Sequence, residues 1–439
     1  MNSTDSSFPA RVYRSALLVL AIVLFTGLIS GPATARADDI VLRWNEISAR
    51  TATATTPFNQ ARVAAIVQLA VFEAVNAITG EYEPYLNPPT QPAPGASVEA
   101  AVATAAHKVM TTYFPAAAPG INGLDAARDA DLNAIPNGPA KTAGVAAGMS
   151  AANAMIALRA SDGSSPLTTI IPAPTSTAGV YQLTTGCAAA LFYNWQNVTP
   201  FGIATASSFL LPPPPSLASN QYAKNYAETM TVGASTSTST ERPADRAEVV
   251  RLYAGTSPSF LLSKATRDIA AQKGTSVSEN ARALALIHMA SSDSLVASFF
   301  NKYHYDRWRP ETGIRNGAAD GNDKTDGAPG FATFIPTPCF PAYPSNHASG
   351  TSGGLEAIRR MFGAAGFDIT ITNNVPALGS LPATTITKHY TQLKQIGDDV
   401  DDARVYGGIH WRSDQVAGND LGRAIATEVV KNNLRPVHP

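Results

Sequence analysis

Apolar residues recur with helical spacing over most of this chain. From about Asn59 to Ile78, the positions Val63, Ile66, Val67, Leu69, Ala70 and Phe72 repeat without an internal proline or glycine, which predicts a buried helix. Residues 97–114 and 139–160 carry the same alanine-rich pattern, and it returns at about 217–233, 242–254 and 278–301. Another helix is predicted from Ser345 to Arg360, opening at the Pro344 turn, and a last one from about Ser413 to Asn432. Strand-like alternation is confined to short pieces such as 368–372, and there is no internal repeat. The pattern predicts an all-α protein, helical bundles joined by long irregular connections.

Two segments break the helical rhythm. Residues 164–215 are rich in Pro, Thr and Ser and end in the run Pro212 to Pro215. Tyr181, Phe192, Tyr193, Trp195 and Phe201 within it need apolar surface, so it reads as an extended wrapping segment rather than a disordered linker. The loop 316–330 gathers Asp320, Asp323 and Asp326, but the EF-hand spacing fails at Lys324, so a solvated loop is expected. The expected division is an N-terminal bundle with the wrapping segment over 38–270, and a C-terminal bundle over 271–439.

The N-terminus changes the compartment. Arg11 and Arg14 precede an apolar run from Ala16 to about Ile29, and Ala35-Arg36-Ala37 offers a small-x-small cleavage site before Asp38. This reads as a secretory signal over 1–37, removed near Ala37, and the protein is expected to be secreted or periplasmic. The run falls short of the ~20 residues that span a bilayer, and the separated arginines give little support to a twin-arginine signal. No membrane association is expected after removal. In an oxidising compartment Cys187 and Cys339 would form either one long-range disulfide or two buried thiols; the sequence leaves both open.

The 439 residues are 45% hydrophobic and 15% charged, with a formal net charge of −1. Arg11, Arg14, Arg36 and Asp5 give residues 1–37 a net +2, leaving −3 for the rest. That balance excludes an electrostatic footprint for nucleic acid, so any functional cations must be gathered locally. The sequence does not fix an oligomeric state.

Such a gathering occurs in three blocks of the last third: Lys302 through Arg309-Pro310, then Pro344-Ser345-Asn346-His347, then Arg404 through His410 and Asp414. One Lys, two Arg, a Ser and two His suit a tetrahedral oxyanion such as phosphate or vanadate. Lys302 and Arg309 are seven apart, which on a helix is two turns and would point both to one side of its end. Ser345 reads as the cap of a helix whose free N–H groups favour an anion, with His347 in the first turn. Arg404 and His410 flank Gly407-Gly408, and Asp414 can accept a hydrogen bond from one imidazole nitrogen of His410. Alone, each block also reads as a solvated basic face, an ordinary cap or a core histidine.

Together the blocks resemble the vanadium-dependent haloperoxidases and the related type-2 phosphatidic acid phosphatase superfamily, which includes bacterial acid phosphatases. Phe340-Pro341-Ala342-Tyr343-Pro344-Ser345 and Tyr406-Gly407-Gly408-Ile409-His410-Trp411 are similar to secreted haloperoxidases, as are Trp44-Asn45 and Tyr82-Glu83-Pro84-Tyr85. The resemblance covers most of the chain after residue 37, with its specific motifs in 299–418. It implies an all-helical fold of two bundles and vanadate as cofactor, with phosphate as a competing ligand. Lys302, Arg309, Ser345, the Asn346 N–H and Arg404 would bind the oxyanion, and His410 would ligate vanadium. His347 would be the acid–base that deprotonates hydrogen peroxide, and Lys302 would activate the peroxide for attack by halide. The product, hypohalous acid, would meet a small organic acceptor. Phe340 stands where chloride-oxidising members resemble this chain.

Two residues depart from the family pattern: Asn346 replaces the usual Gly, and Ala403 the usual Ser. Two alternatives stand beside the haloperoxidase. One is a secreted acid phosphatase with His410 as the nucleophile forming a phosphohistidine; the other is a non-catalytic oxyanion-binding protein. His107 and His288 read as core or interface histidines, His304 and His389 match no role, and His438 is in the tail. The run Asp398, Asp399, Asp401 and Asp402 reads as solvated, with one member able to pair with Arg404.

Overall fold

Helix starts are written locally by side-chain caps and N-terminal prolines. A computed structural model describes residues 39–120, 123–379 and 381–437; the expected signal sequence and His438 lie outside them. Helix α1 (Ile40–Ala52) opens where Asp39 Oδ1 accepts from Val41 N and Leu42 N. Pro57 starts α2 (Pro57–Thr79), and Gly80, at φ 65°, ends it. Then follow α3 (Val98–Tyr113), α4 (Leu124–Ala134), α5 (Pro139–Arg159), α6 (Asn220–Gly233), α7 (Ala244–Ala254) and α8 (Pro258–Lys273). A Ser276–Glu279 capping box opens the longest helix, α9 (Val277–Tyr305). The rest are α10 (Pro310–Arg315), α11 (Asn346–Phe362), strands β1 (Ala365–Val375) and β2 (Thr384–Gln392), α12 (Leu393–Val405) and α13 (Arg412–Asn432).

The architecture is a helical bundle protein with one added hairpin. Helices α2 and α9 are long and apolar enough to cross a membrane, yet their most apolar windows are 83% and 94% buried inside the protein. They are the core. Helix α9 packs on α2, α11 and α13, while α2 also meets α3 and α5. Glycines bring α13 against α11: a Cβ at Gly422 would lie 2.4 Å from Ser349 O. That contact sets the distance between the second and third sequence blocks.

The structure adds elements that periodicity does not reveal. Helices α1, α4, α8, α10 and α12 are all absent from the sequence reading. The short alternation at 368–372 is the centre of a longer antiparallel pair, with Ile369 opposite Tyr390. Residues 384–392 show little alternation because only Ile386 and Tyr390 are buried there. The wrapping segment packs Tyr181, Trp195 and Phe201 as expected, whereas Tyr193 stays 38% exposed, edge-on to Tyr303. Asp293 of α9 pins this segment by accepting the N–H groups of Phe201, Gly202 and Ile203. Cys187 and Cys339 are bonded, with an S–S distance of 2.08 Å.

Asp323, Asp326 and Asp398 are exposed, as the solvated reading expects, but other aspartates differ from it. Asp320 is buried and accepts from Asn322 N and Thr325 Oγ1, closing its own loop. Among the described residues no cluster of three or more His, Cys, Asp or Glu could hold a metal. Asp399 and Asp402 both pair with Arg246 at 2.9 Å, and Asp402 also with Arg412. Arg404 hydrogen-bonds elsewhere, to a backbone carbonyl.

His288 is sealed in the core, with Ser263 Oγ 3.0 Å from Nε2 and no partner at Nδ1. Burial, aided by Arg267, pushes its pKa down to about 3. An unfolded His titrates near ~6.5, so below that pH the unfolded chain takes up a proton that the fold refuses. His288 therefore removes stability as pH falls from about 6.5 toward 3. In urea denaturation, His288→Leu should gain on the wild type by up to about 1.4 kcal/mol per pH unit below ~6.5. A difference independent of pH would show that the imidazole accepts protons in the folded state.

Candidate active site

The first block does not lie on one helix. Asp306, at φ 44°, caps α9 and turns the chain, so Lys302 sits in the last turn of α9 while Arg309 is the N-cap of α10. The two side chains nevertheless reach the same interior. Lys302 Nζ donates to the carbonyls of Pro341 and Ala342 at 2.8 Å and of Pro344 at 2.5 Å. Three acceptors match the three ammonium protons. Arg309 Nε donates to Phe340 O at 2.7 Å, and Nη1 to Ile409 O at 2.9 Å. Arg404, near the end of α12, reaches Tyr253 O at 3.4 Å. Lys302, Arg309, Ser345, Asn346, Arg404 and His410 are each at most 5% exposed.

The two histidines occupy different settings. His410 Nδ1 lies 2.9 Å from Asp414 Oδ2, which also accepts from Trp411 N. The carboxylate assigns the proton to Nδ1 and leaves the Nε2 lone pair free to accept. Arg309 Nη1 stands 2.9 Å from that lone pair. His347, the second residue of α11, is half-buried and faces an open cleft. Between them, Ser345 N donates to Asp414 O at 3.0 Å, and Ser345 Oγ accepts from Ala348 N. The Ser345 hydroxyl proton remains available.

Asn346 brings a residue that the sequence reading missed. Its Oδ1 accepts from Ser298 Oγ at 2.6 Å, and its Nδ2 is buried without a partner. Ser298 lies one turn before Lys302 on α9. That i, i+4 spacing was the only signal in the sequence. Ala403 is fully buried, so the missing hydroxyl leaves an apolar contact there.

Charge defines the site. Burial, reinforced by Arg309, pushes the Lys302 ammonium well below its ordinary range. Arg309 falls to about 10 and Arg404 to about 9, both chiefly through burial. Asp414 is raised to about 6 by burial, against the pull of Lys302. Both histidines are driven well down, by burial first and then by the surrounding cations. One carboxylate thus faces three buried cations.

The donors are also unmatched. Arg309 Nη2, Arg404 Nε and Asn346 Nδ2 are buried without partners, as are Asp414 Oδ1 and the amide of Gln415. A tetrahedral oxyanion would supply both acceptors for the first three and the missing negative charge. Vanadate and phosphate fit this demand equally. The aromatic wall is Phe340, with Lys302 Nζ 5.3 Å and the Arg309 guanidinium 5.0 Å from its ring centre.

Residues 282–439, which hold all three blocks, match the VCPO second helical-bundle domain. Over this stretch the chain is similar to the vanadium haloperoxidases. Vanadium chloroperoxidase of Curvularia inaequalis is 28% identical over 176 residues, covering 32% of this chain and 29% of that protein. The match therefore spans less than a third of that curated relative's length. Two solved structures share the fold. The first bacterial vanadium-dependent iodoperoxidase has a TM-score of 0.73 at 18% identity, covering 93% of this chain and 99% of that one. The holo form of a bacterial vanadium-dependent chloroperoxidase has a TM-score of 0.69 at 16% identity, covering 87% and 93%.

The Ser298–Asn346 bond orients an amide donor that a glycine would lack. Ser298→Ala should weaken vanadate binding about three- to tenfold, the effect of roughly one hydrogen bond to a charged group, with the melting temperature little changed. Calorimetric titration with orthovanadate checks this. Unchanged affinity would show that Asn346 Nδ2 does not face the anion.

Proposed function

We propose that this chain is a secreted, vanadate-dependent haloperoxidase-like enzyme that oxidises halide with hydrogen peroxide to hypohalous acid. The observation that carries the reading is the set of buried cations and orphaned donors around His410 Nε2. Bound vanadate would supply Lewis-acid activation of peroxide without changing oxidation state. Arg309 and Arg404 would hold and neutralise the oxyanion, while Ser345 and Asn346 would donate to it. His410 offers Nε2 as the ligand, and Asp414 keeps its proton on Nδ1. Burial, reinforced by the surrounding cations, depresses the His347 pKa and keeps the imidazole neutral at pH 7, so it can accept a proton from peroxide arriving through the cleft. Lys302 acts through its charge and through the carbonyls it holds; direct donation to the anion would require one of those bonds to exchange.

Phosphate would satisfy the same donors, and the His410–Asp414 pair equally suits a nucleophile that forms a phosphohistidine. A pair of assays separates these readings. Purified protein with orthovanadate should brominate a phenolic dye in the presence of peroxide and show no such activity without the metal. Vanadate-inhibited hydrolysis of p-nitrophenyl phosphate without bromination would instead establish the phosphatase. Silence in both assays would leave a binding protein.

The histidine roles predict different failures. His410→Ala should abolish vanadate retention, whereas His347→Ala should retain vanadate and lose turnover. Equal loss of binding in both variants would overturn this division.

A further inference from the structure

A second cavity shares no residue with the oxyanion site. It holds about 300 Å³, and its walls include Leu355 and Glu356 of α11, Leu393, Gly397 and Asp401 of α12, and Asn419 of α13. That volume is at the lower end of small-molecule sites.

Gly397 keeps the cavity open. It is the fifth residue of α12, in the helix interior, where glycine costs stability relative to alanine. No close approach of backbone demands it there. A Cβ at Gly397 would meet only Leu355 Cδ1, at 3.9 Å, whereas a Cβ at Gly418 would strike Ser345 O at 2.7 Å. What the missing side chain leaves at Gly397 is space beside Leu355.

The charges on the wall are unevenly satisfied. Each cation already holds a carboxylate: Arg359 with Glu356, Lys394 with Asp398 and Arg423 with Asp420, all at 2.6 Å. Glu356 uses both oxygens on Arg359 and Arg360, and Asp398 uses both on Lys394. Asp401 differs. Its Oδ2 accepts from Asn419 Nδ2 at 2.7 Å, while Oδ1 is buried with no partner. Burial pushes this carboxyl up to about 7; Asn419 and Arg412 pull it down, and Asp398 and Asp402 add to the rise. A buried acceptor without a donor is costly, and this one lies in the wall of a cavity with room for a donor.

We propose that this cavity binds a small aliphatic primary ammonium ion, whose head donates to Asp401 Oδ1 and whose tail lies along Leu355 and Leu393. A charged donor answers the carboxylate oxygen that has no partner. An anion finds every cation of the wall already paired. Among the described residues no group of three His, Cys, Asp or Glu is placed to hold a metal, which disfavours an inorganic divalent cation. The leucines match a methylene tail rather than a second charge.

The site is independent of the haloperoxidase reading, and its test needs no vanadate. Calorimetric titration of the purified protein with n-butylammonium chloride at pH 8 should show saturable, millimolar binding of one ion per chain. n-Butanol, with the same tail and no charge, should bind about tenfold more weakly or worse. Asp401→Asn, which keeps the shape of the side chain, should weaken the ammonium by about tenfold or more. Gly397→Leu should abolish binding by filling the cavity with every charge left in place. Its melting temperature should match or exceed that of the wild type, because leucine favours helix over glycine. At pH 6 the wild-type affinity should fall about tenfold, since the Asp401 carboxyl must first lose its proton while an alkylammonium stays charged throughout. No saturable binding at pH 8, or binding undiminished by either substitution, overturns the site.

Discussion

Three cations held out of water with a single carboxylate between them form the constraint on which the rest of this structure depends. An isolated buried charge is costly by several kcal/mol even after relaxation. The fold meets part of that cost with backbone dipoles. Six carbonyls, from Pro341, Ala342, Pro344, Phe340, Ile409 and Tyr253, accept from Lys302, Arg309 and Arg404. They do not cancel the charge. The lowered pKa values of both arginines and the orphaned Arg309 Nη2 and Arg404 Nε are two expressions of the same shortage. A bound oxyanion would relieve both at once, which would couple anion binding to stability.

The carbonyls can serve only if the segment 340–344 is held rigidly over the α9 terminus, and the proline-rich middle of the chain does this. Cys187 is bonded to Cys339, Leu191 N donates to Cys339 O, and Tyr343 Oη donates to Pro212 O. Ala342 N closes the loop onto Arg307 O. What looks like an irregular connection is thus a brace for the cation cradle. Its aromatic residues anchor it to α9, where Asp293 collects three of its N–H groups.

Much of this was legible in the sequence, for identifiable reasons. Helices with a continuous apolar face, such as α2 and α9, announce themselves because burial fixes their periodicity. Short or amphipathic ones do not: α10 has six residues, and α12 carries the acidic run that reads as solvent-facing until Arg246 and Arg412 appear across it. The candidate residues stood out because charged groups in a nearly neutral chain are conspicuous by type and spacing. Their geometry was not. Seven residues suggested one helix face for Lys302 and Arg309, but the left-handed Asp306 replaces the second turn with a reversal. Ser298 was missed because, apart from its spacing to Lys302, its hydrogen bond is to Asn346, forty-eight positions later, and tertiary hydrogen bonds leave no periodic trace.

The two histidines differ through packing rather than chemistry. They are the same side chain under the same three cations, yet His410 is sealed beside Asp414 and His347 opens to the cleft. The difference comes from the α11–α13 contact, where Gly418 and Gly422 let the helices approach until Ser345 N meets Asp414 O. That approach places Asp414 under one imidazole and leaves the other, two residues along α11, with no carboxylate to hold its proton. A side chain larger than hydrogen at Gly418 would contact Ser345 O at 2.7 Å and push the helices apart. Such a shift would loosen the Asp414–Ser345 link and with it the asymmetry between an imidazole suited to ligation and one suited to proton transfer.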